Sequence, residues 1–466
     1  MNQFDLNTID KSKDIFFIGI GGISMSALAV ILKNDGYRVR GSDFKSGPMT
    51  RELEEKGIPV AIGHRAENVE GAGLVVYTAA IHEDNPERVR AKELGIPAIE
   101  RPVLLGALMK RYRYPVAVSG THGKTTTTSM LSHVLLSAGL DPTILVGGVL
   151  PVIGGNMRDG GKDYFVTEAC EYCGSFLQFF PLYSIILNIE EDHLDYFKDL
   201  EDIVNCFRQF ADLVPPEGAV IANFDDSDVR RAVSGAHCRV VSFGVESGDC
   251  DYTAKNIRFS DSGCAEFDVY RGDTLCMRTQ LNVPGLHNVS NALAVIATAQ
   301  LLGVKEEDIQ AGFASFHGTN RRFEEKGTVC GARIIDDYAH HPTEIRATLA
   351  AARAAAAGGR VWCVFQPHTY TRSFKLKDEF AKSFSDCDGV ILTDIYAARE
   401  KDTGLIHALD LAEAIDGVSH NACYIKGFDA IESYLRQNVS PGDLILTMGA
   451  GDVYQIGEAL AAREEK

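Results

Sequence analysis

The feature that most constrains the possible fold of this 466-residue chain is a glycine-rich loop that joins an apolar strand to a helix. It follows the strand-like segment PVAVS and reads Gly120-Thr121-His122-Gly123-Lys124-Thr125-Thr126. Backbone N–H groups in such a loop point at phosphate oxygens, and the dipole of the following helix favours negative charge. Lys124 supplies a point charge for the outer phosphates, and the Thr125 hydroxyl can hold Mg²⁺. The usual first glycine would fall at Val118, so Gly120 opens a shortened P-loop. The sequence predicts a nucleotide-phosphate site on an α/β scaffold.

A second glycine-rich loop lies near the start of the chain, after the apolar segment DIFFIGI. Its residues, GIGGIS over 19–24, are similar to the dinucleotide fingerprint G-x-G-x-x-G with serine in the last position. Asp43 stands about 20 positions further on, where a Rossmann enzyme places an acidic residue for the ribose. The same geometry serves any diphosphate, so a nicotinamide dinucleotide, a UDP-sugar and a turn without ligand all stay open.

The pattern of strands and helices predicts three consecutive α/β domains, since 466 residues exceed one ordinary core. Strand-helix alternation in each series implies a parallel, doubly wound sheet. The polar stretch KRYRYP marks the first boundary, and a third series contains the strands RIIDDYA, VWCVFQP, VILTDIYAA and DLILTMGAG. We therefore predict a Rossmann-like N-terminal domain over 1–112, a central P-loop ATPase-like domain over 113–318, and a C-terminal Rossmann-like domain over 319–466.

Composition narrows the function classes. The chain has 46 basic and 64 acidic residues, a net charge of −18, which argues against non-specific nucleic-acid binding. No apolar run approaches the roughly 18–20 residues of a membrane span, and the first residues lack a signal peptide's apolar stretch. Eleven cysteines without repeated spacing suggest reduced thiols and a cytoplasmic protein. The close pair Cys170 and Cys173 is either half of a zinc or redox site or two inert thiols.

Acidic and imidazole groups follow two strands of the central series. Glu168 ends DYFVTE, and the segment NIEEDH, ending at His193, follows YSIIL. Both lie where an open sheet delivers ligands to the crevice at its carboxyl edge. A carboxylate and an imidazole there could hold Mg²⁺ against phosphates, although His193 serves equally well as a surface or capping residue because Mg²⁺ prefers oxygen. The pair His340-His341 could bind a transition metal, or contact substrate and cap a helix.

Several longer motifs occur in order across nearly the whole chain: GIGGISMSALA, GTHGKTT, TEACEY, NIEEDHLDYF, PGLHNVSNALA, GTNRRFE, DDYAHHPTE, FQPHTYTR and MGAGD. Together they resemble the Mur ligase family. The resemblance implies an ATP- and Mg²⁺-dependent ligase of peptidoglycan synthesis that joins L-alanine to UDP-N-acetylmuramate and works as a monomer or homodimer. Attachment of a recycled peptide to the same sugar nucleotide, a nicotinamide-dependent oxidoreductase, and a nucleotide-binding regulator without turnover are the alternatives.

The resemblance also implies roles for individual residues. The UDP-sugar would be held by Gly19, Gly21, Gly22, Ser24, Ser42 and Asp43. ATP would be bound by Gly120, Thr121, His122, Gly123, Lys124, Thr125, Thr126, His287, Asn288, Asn291, Arg322 and Asp337. Magnesium would be held by Thr125, Glu168 and His193. The amino acid would be contacted by Tyr338, His340, His368 and Arg372. The catalytic set would be Lys124, Glu168, His193 and Arg322.

Overall fold

Three β-sheets follow one another along the chain in a computed structural model that describes residues 4–462, except 195, 261 and 399. Their strands fall within residues 14–100, 114–284 and 324–448. The prediction of three consecutive α/β units is confirmed. The domain limits after residues 112 and 318 stay predictions. No helix in the described part of the chain is long and apolar enough to cross a membrane.

The first sheet is fully parallel, with the order β3-β2-β1-β4-β5. Its strands are β1 (Asp14–Ile18), β2 (Arg38–Asp43), β3 (Val60–Ile62), β4 (Ala72–Tyr77) and β5 (Ala98–Glu100). Its helices are α1 (Ile23–Asn34), α2 (Pro48–Glu55), α3 (Pro86–Glu93) and α4 (Arg101–Met109). The central strand β1 is apolar and buried after its first residue, as a strand covered on both faces requires. The first glycine-rich loop therefore opens where the strand order reverses, the usual ligand crevice of such sheets.

The second sheet has ten strands in the order β15-β14-β13-β12-β11-β10-β6-β9-β7-β8. Its strands are β6 (Tyr114–Ser119), β7 (Thr143–Leu150), β8 (Gly155–Arg158), β9 (Tyr164–Glu168), β10 (Tyr183–Ile186), β11 (Ala219–Asn223), β12 (Arg239–Gly244), β13 (Tyr252–Phe259), β14 (Cys264–Arg271) and β15 (Thr274–Pro284). Its helices are α5 (Lys124–Ser137), α6 (Leu200–Ala211), α7 (Ser227–Val233), α8 (Leu286–Leu301) and α9 (Glu306–Ser315). The pairs β13–β14 and β14–β15 are antiparallel, a meander that the strand-helix pattern did not predict. The strand before the P-loop, β6, lies between β9 and β10, so their carboxyl ends meet there.

The third sheet has the order β16-β17-β21-β18-β19-β20 and is parallel except for the edge pair β16–β17. Its strands are β16 (Glu324–Val329), β17 (Ala332–Asp337), β18 (Val361–Phe365), β19 (Gly389–Leu392), β20 (Ala422–Tyr424) and β21 (Leu444–Met448). Its helices are α10 (Pro342–Ala355), α11 (Tyr370–Lys375), α12 (Lys377–Ala381), α13 (Ala408–Ser419), α14 (Phe428–Asn438) and α15 (Tyr454–Ala462). Only the first part of VILTDIYAA is a strand, and the remainder forms a loop that bridges to His368 through Tyr396.

The three units are attached to one another differently. One buried apolar cluster runs from the first domain into the central domain and includes Leu104 and Leu108 of α4 with Phe176 and Phe207. At this contact a Cβ on Gly106 of α4 would lie 1.8 Å from the carbonyl oxygen of Gln178, so only glycine fits. The buried clusters of the third domain contain residues of that domain alone. The third domain instead meets the central domain through polar contacts at the site described next.

Candidate active site

The P-loop is held open by its own glycines and by one asparagine. Gly120 and Gly123 have φ of +140° and +83°, which favour glycine, and a Cβ on Gly120 would lie 2.9 Å from the Cβ of Leu187. The N–H groups of Thr121 and His122 donate to the backbone oxygen and Oδ1 of Asn188, at 3.1 and 2.7 Å. The first N–H groups of α5 have no intrahelical acceptor, so they remain donors for an anion at this end of the helix.

Lys124 is folded onto the loop and paired with a carboxylate that sequence reasoning did not assign. Its Nζ lies 3.1 Å from Oε2 of Glu171 and 3.1 Å from the backbone oxygen of Thr121. Burial alone would lower the pKa of Lys124, but the carboxylate of Glu171 raises it above its ordinary value. Glu171 is only 2% exposed, so this pair is shielded from solvent. The motif TEACEY contains Glu171, yet nothing in its spacing pointed to the lysine.

The three predicted magnesium ligands lie around the same carboxyl edge. Glu168 ends β9, and its Oε1 accepts the Gly147 N–H at 2.6 Å. Thr125 is in the first turn of α5, directly after Lys124. His193 follows β10; its Nε2 lies 4.0 Å from Oε1 of Glu171, and its ring packs on Tyr172 at 4.6 Å. Hydroxyl and carboxylate oxygens beside a P-loop suit Mg²⁺, and the assignment of these ligands stays a prediction.

A cavity of about 710 Å³ opens between the central and third domains beside the P-loop. Eight of the twelve residues predicted to bind ATP line it: His122, Gly123, Thr126, His287, Asn288, Asn291, Arg322 and Asp337. Asn288 donates to the Pro284 oxygen at 2.7 Å and accepts from Asn291 at 3.1 Å, which ties the start of α8 to the end of β15. The other four predicted residues, Gly120, Thr121, Lys124 and Thr125, belong to the P-loop itself. The structure therefore brings this predicted set together.

Two of the cavity residues predicted to bind ATP, Arg322 and Asp337, come from the third domain. The buried carboxylate of Asp337 accepts the N–H groups of Phe323 and Ala339, both at 2.8 Å, and the Thr348 hydroxyl at 3.2 Å. Burial raises the pKa of Asp337 to about 6, although Arg322 and the hydrogen bonds oppose that shift. The guanidinium of Arg322 lies 5.1 Å from the ring centre of Tyr338. A cation from the third domain thus faces the cavity of the central domain.

The four residues predicted to contact the amino acid form a continuous chain of contacts. The rings of Tyr338 and His340, and those of His340 and His368, are each 5.5 Å apart. His368 Nδ1 lies 3.1 Å from a guanidinium nitrogen of Arg372. Burial lowers the pKa of His340 to about 3 and that of His368 to about 4, so both rings are neutral near pH 7.

This series of contacts, from Tyr338 to Arg372, continues to Asp192 of the central domain, a carboxylate that was not predicted. Arg372 forms an ion pair with Asp192 at 2.8 Å, and both side chains are about one-tenth exposed. Burial would raise the pKa of Asp192, but Arg372 holds it well below its usual range. Because Asp192 precedes His193, the amino-acid side of the site is tied to the predicted metal side.

The pair His340-His341 is split between two surroundings. The ring of His341 turns away from His340, and its Nδ1 accepts the Thr343 N–H at 3.4 Å and so caps α10. His341 Nε2 lies 3.2 Å from the Glu191 oxygen, and the His341 ring is 4.7 Å from that of His122. In this structure His341 caps α10, and only His340 lies with the amino-acid residues, so the two adjacent rings do not converge on one ion.

His122 of the P-loop also contacts α10. Its Nδ1 lies 3.1 Å from Oε1 of Glu344, and its Nε2 lies 3.6 Å from Oε2 of Glu190. Burial would lower the pKa of His122, but these two carboxylates raise it to about 9. Neither Glu190 nor Glu344 was assigned from the sequence, because their partners lie far away in the chain.

The first-domain loop is held by Ser42 and Asp43, the last two residues of β2. The N–H groups of Gly19 and Ile20 donate to the Ser42 oxygen at 2.8 and 2.9 Å, and that of Gly21 donates to Asp43 Oδ2 at 2.9 Å. The Ser42 hydroxyl is buried and donates to the Glu87 carboxylate at 2.7 Å. In this structure the hydroxyl is therefore engaged in a hydrogen bond within the first domain.

Two further contacts of this loop involve residues that sequence reasoning missed. Arg101, at the start of α4, donates to the Ser24 hydroxyl at 2.9 Å. Asn156 of the central domain donates to the Ile23 oxygen at 3.1 Å. Gly22, the remaining predicted residue, precedes α1 as its N-terminal cap. The first loop therefore faces the central domain.

A P-loop, two acidic strand ends and a cavity completed by a third α/β domain define a three-domain, P-loop nucleotide enzyme. Residues 14–113 match the Mur ligase family catalytic domain, residues 118–299 the Mur ligase middle domain, and residues 321–451 the Mur ligase glutamate ligase domain. The chain belongs to the Mur ligase family.

Similar proteins cover the chain from end to end. The UDP-N-acetylmuramate–L-alanine ligase of Acetivibrio thermocellus is 54% identical over 98% of this chain and 97% of its own length. That of Clostridium acetobutylicum is 51% identical over 99% of this chain and 100% of its own. The crystal structure of UDP-N-acetylmuramate-alanine ligase from Thermotoga maritima matches with a TM-score of 0.81 at 30% identity, over 97% of this chain and 99% of that one. A murein peptide ligase from Psychrobacter arcticus matches with a TM-score of 0.71 at 28% identity, over 97% and 98%.

Proposed function

We propose that this protein is an ATP-dependent ligase that forms the amide bond between UDP-N-acetylmuramate and L-alanine, releasing ADP and phosphate, in peptidoglycan synthesis. The observation that carries the proposal is the 54% identity, over 98% of this chain, to a protein named for that reaction. The P-loop and its adjoining cavity support the nucleotide part of it. The eleven free thiols favour a cytoplasmic location.

The chemistry has to activate a carboxylate, which is a poor electrophile in water. Transfer of the γ-phosphoryl group of ATP to the carboxylate oxygen gives an acyl phosphate and ADP. The alanine amine attacks the acyl carbon, and the tetrahedral intermediate collapses to the amide as phosphate leaves and the amine loses its proton. Two anions approach each other in the first step, so fixed positive charge from Lys124 and Arg322 lowers its barrier.

Magnesium would be held by the Thr125 hydroxyl, Glu168 and His193, and it would supply positive charge against the phosphates. Lys124 would leave Glu171 for the outer phosphates when the nucleotide binds. Glu171 lies within reach of both Lys124 and His193, so it would keep that lysine oriented in the meantime.

The substrates would approach from different domains. The loop over 19–24 with Asp43 would hold the UDP moiety, and Tyr338, His340, His368 and Arg372 would surround the amino acid. The contacts that Glu344 and Arg372 make with the central domain support a closed arrangement in which water is kept from the acyl phosphate.

The second candidate is attachment of a peptide to the same sugar nucleotide, which the match to a murein peptide ligase suggests. Phosphate release from ATP with UDP-N-acetylmuramate, in the presence of L-alanine, a peptide or neither, separates the two. We expect release to depend on alanine. Release that depends only on the peptide would favour the second candidate, and release with neither would contradict both. A regulator without turnover would bind ATP and release no phosphate, and an oxidoreductase would consume NADH.

A further inference from the structure

Two imidazoles and one carboxylate converge between the P-loop and α10. They belong to His122 in the loop, Glu190 after β10 and His341 before α10, and one ligand atom from each lies within 4.8 Å of the other two. The proposed amide-forming reaction does not require these three side chains to lie close together. Their arrangement thus calls for its own explanation.

The distances from Glu190 to the two imidazoles are close to the ligand spacing of a tetrahedral metal centre. Oε2 of Glu190 lies 3.6 Å from His122 Nε2 and 3.8 Å from His341 Nδ1. Zinc–nitrogen bonds of about 2.0–2.1 Å place neighbouring tetrahedral ligands about 3.3–3.4 Å apart, so the two distances to Glu190 exceed that spacing by only a few tenths of an ångström. His122 Nε2 is buried and has no hydrogen-bond partner among the described residues, so a metal ion that displaces its proton would find this nitrogen unoccupied.

The outer contacts of both histidines follow the pattern of metal ligands. A histidine that binds a metal usually donates its other ring N–H to a carboxylate or a backbone carbonyl. His122 Nδ1 lies 3.1 Å from the Glu344 carboxylate, and His341 Nε2 lies 3.2 Å from the Glu191 carbonyl oxygen. These contacts orient the remaining nitrogen of each ring toward Glu190. Metal binding would replace the 3.4 Å bond from the Thr343 N–H to His341 Nδ1, and Glu190 Oε2 would have to share its lone pairs with the Thr343 hydroxyl, which donates to it at 2.5 Å.

The ligand types indicate which ion fits. Imidazole nitrogens suit zinc and similar transition metals, whereas Mg²⁺ prefers oxygen ligands and retains water. The carboxylates of Glu190 and Glu344 would offset the charge of a divalent ion. We propose that His122, Glu190 and His341 bind one divalent ion of the zinc class, which links the P-loop of the central domain to α10 of the third domain. The fourth coordination position is left for water.

The test uses the full-length, metal-stripped protein without nucleotide. Zn²⁺ is titrated against a chromophoric chelator, and Co²⁺ serves as a spectroscopic substitute. We expect one bound equivalent and visible Co²⁺ bands without intense sulfur-to-metal charge transfer. His341→Ala and Glu190→Gln should each weaken zinc binding by at least about 10-fold. The matched controls are His420→Ala and Glu217→Gln, an imidazole and a carboxylate at exposed positions; both should keep the wild-type affinity.

Several results would overturn the proposal. These are no stoichiometric zinc binding, unchanged affinity in the two ligand variants, an equal loss in the controls, or thiolate bands that point to cysteines. Glu190→Gln nearly preserves the shape of the side chain. If circular dichroism shows that His341→Ala is misfolded, the zinc affinity of Glu190→Gln is therefore the deciding measurement. Because neither ATP nor a sugar nucleotide is present, the result does not depend on the proposed ligation.

Discussion

The ion pair between Lys124 and Glu171 should weaken the binding of ATP. The two charged groups are 3.1 Å apart and buried, so an incoming phosphate has to take the lysine from a carboxylate that also repels it. Glu171→Gln removes the competing charge and retains an oxygen that can accept a hydrogen bond from Lys124. We therefore expect this variant to bind ATP more tightly than the wild-type protein.

The size of the effect follows from the charges. Two unit charges 4 Å apart attract by about 4 kcal/mol at an effective dielectric constant of 20. Part of this is retained by the glutamine oxygen, and part is offset because removal of the carboxylate leaves a buried lysine less well solvated. A net gain of about 1.4–2.8 kcal/mol would tighten ATP binding about 10- to 100-fold.

The assay is equilibrium titration with a non-hydrolysable ATP analogue at fixed magnesium, so that turnover plays no part. Turnover is not informative here, because Glu171 also lies near His193. The matched control is Glu217→Gln, which removes the same charge from an exposed position and should leave the dissociation constant unchanged. If Glu171→Gln binds the analogue with equal or lower affinity, Glu171 is not a competitor for the lysine and the reasoning fails.

Four further predictions concern residues of the proposed site. Lys124→Ala should lower alanine-dependent phosphate release by about 10²–10³, because a main electrostatic contact is lost, and wild-type release would remove the P-loop assignment. Glu168→Gln should raise the magnesium concentration needed for half-maximal rate, whereas an unchanged titration would make Glu168 structural. The KM for ATP should rise as pH falls below 6, because Asp337, with its pKa raised to about 6, becomes protonated and loses acceptor capacity; Asp337→Asn should lack this component, and the same pH profile in both proteins would contradict it. Tyr338→Ala should narrow the preference for alanine over the bulkier valine in kcat/KM, a preference that should exceed the about 10–200-fold that one methyl group gives alanine over glycine; an unchanged ranking in competition kinetics would place the alanine pocket elsewhere.

Short sequence patterns were sufficient to predict elements that depend only on neighbouring residues. The strand before the P-loop, Glu168 at the end of β9 and the parallel first sheet follow from short apolar runs and the turns between them. The antiparallel meander β13–β15 was missed because its polar, half-exposed strands lack the alternation with helices that the other sheets show. Edge strands such as β20, only three residues long, leave too little pattern to detect.

Contacts between distant segments could not be predicted from spacing. Asp192 and Arg372 are 180 positions apart, and only the contact of the third domain with the segment after β10 makes them a pair. The same is true of His122 and Glu344. For the adjacent histidines His340 and His341 the problem is the opposite, because residues next to each other in the sequence do not share a site. The turn into α10 directs their rings to different partners. Family motifs named most of these residues, but not their mutual contacts.

The unequal attachment of the three domains has an evolutionary consequence. The first and central domains share an apolar cluster in which even a methyl group at Gly106 would not fit, so their relative position tolerates little variation. The third domain is held mainly through charged and polar pairs such as Arg372 with Asp192, which salt weakens and reciprocal substitutions can rebuild. A lineage of such enzymes can therefore change the side chains that select the incoming amine while the surfaces that hold the sugar nucleotide and the phosphates stay as they are.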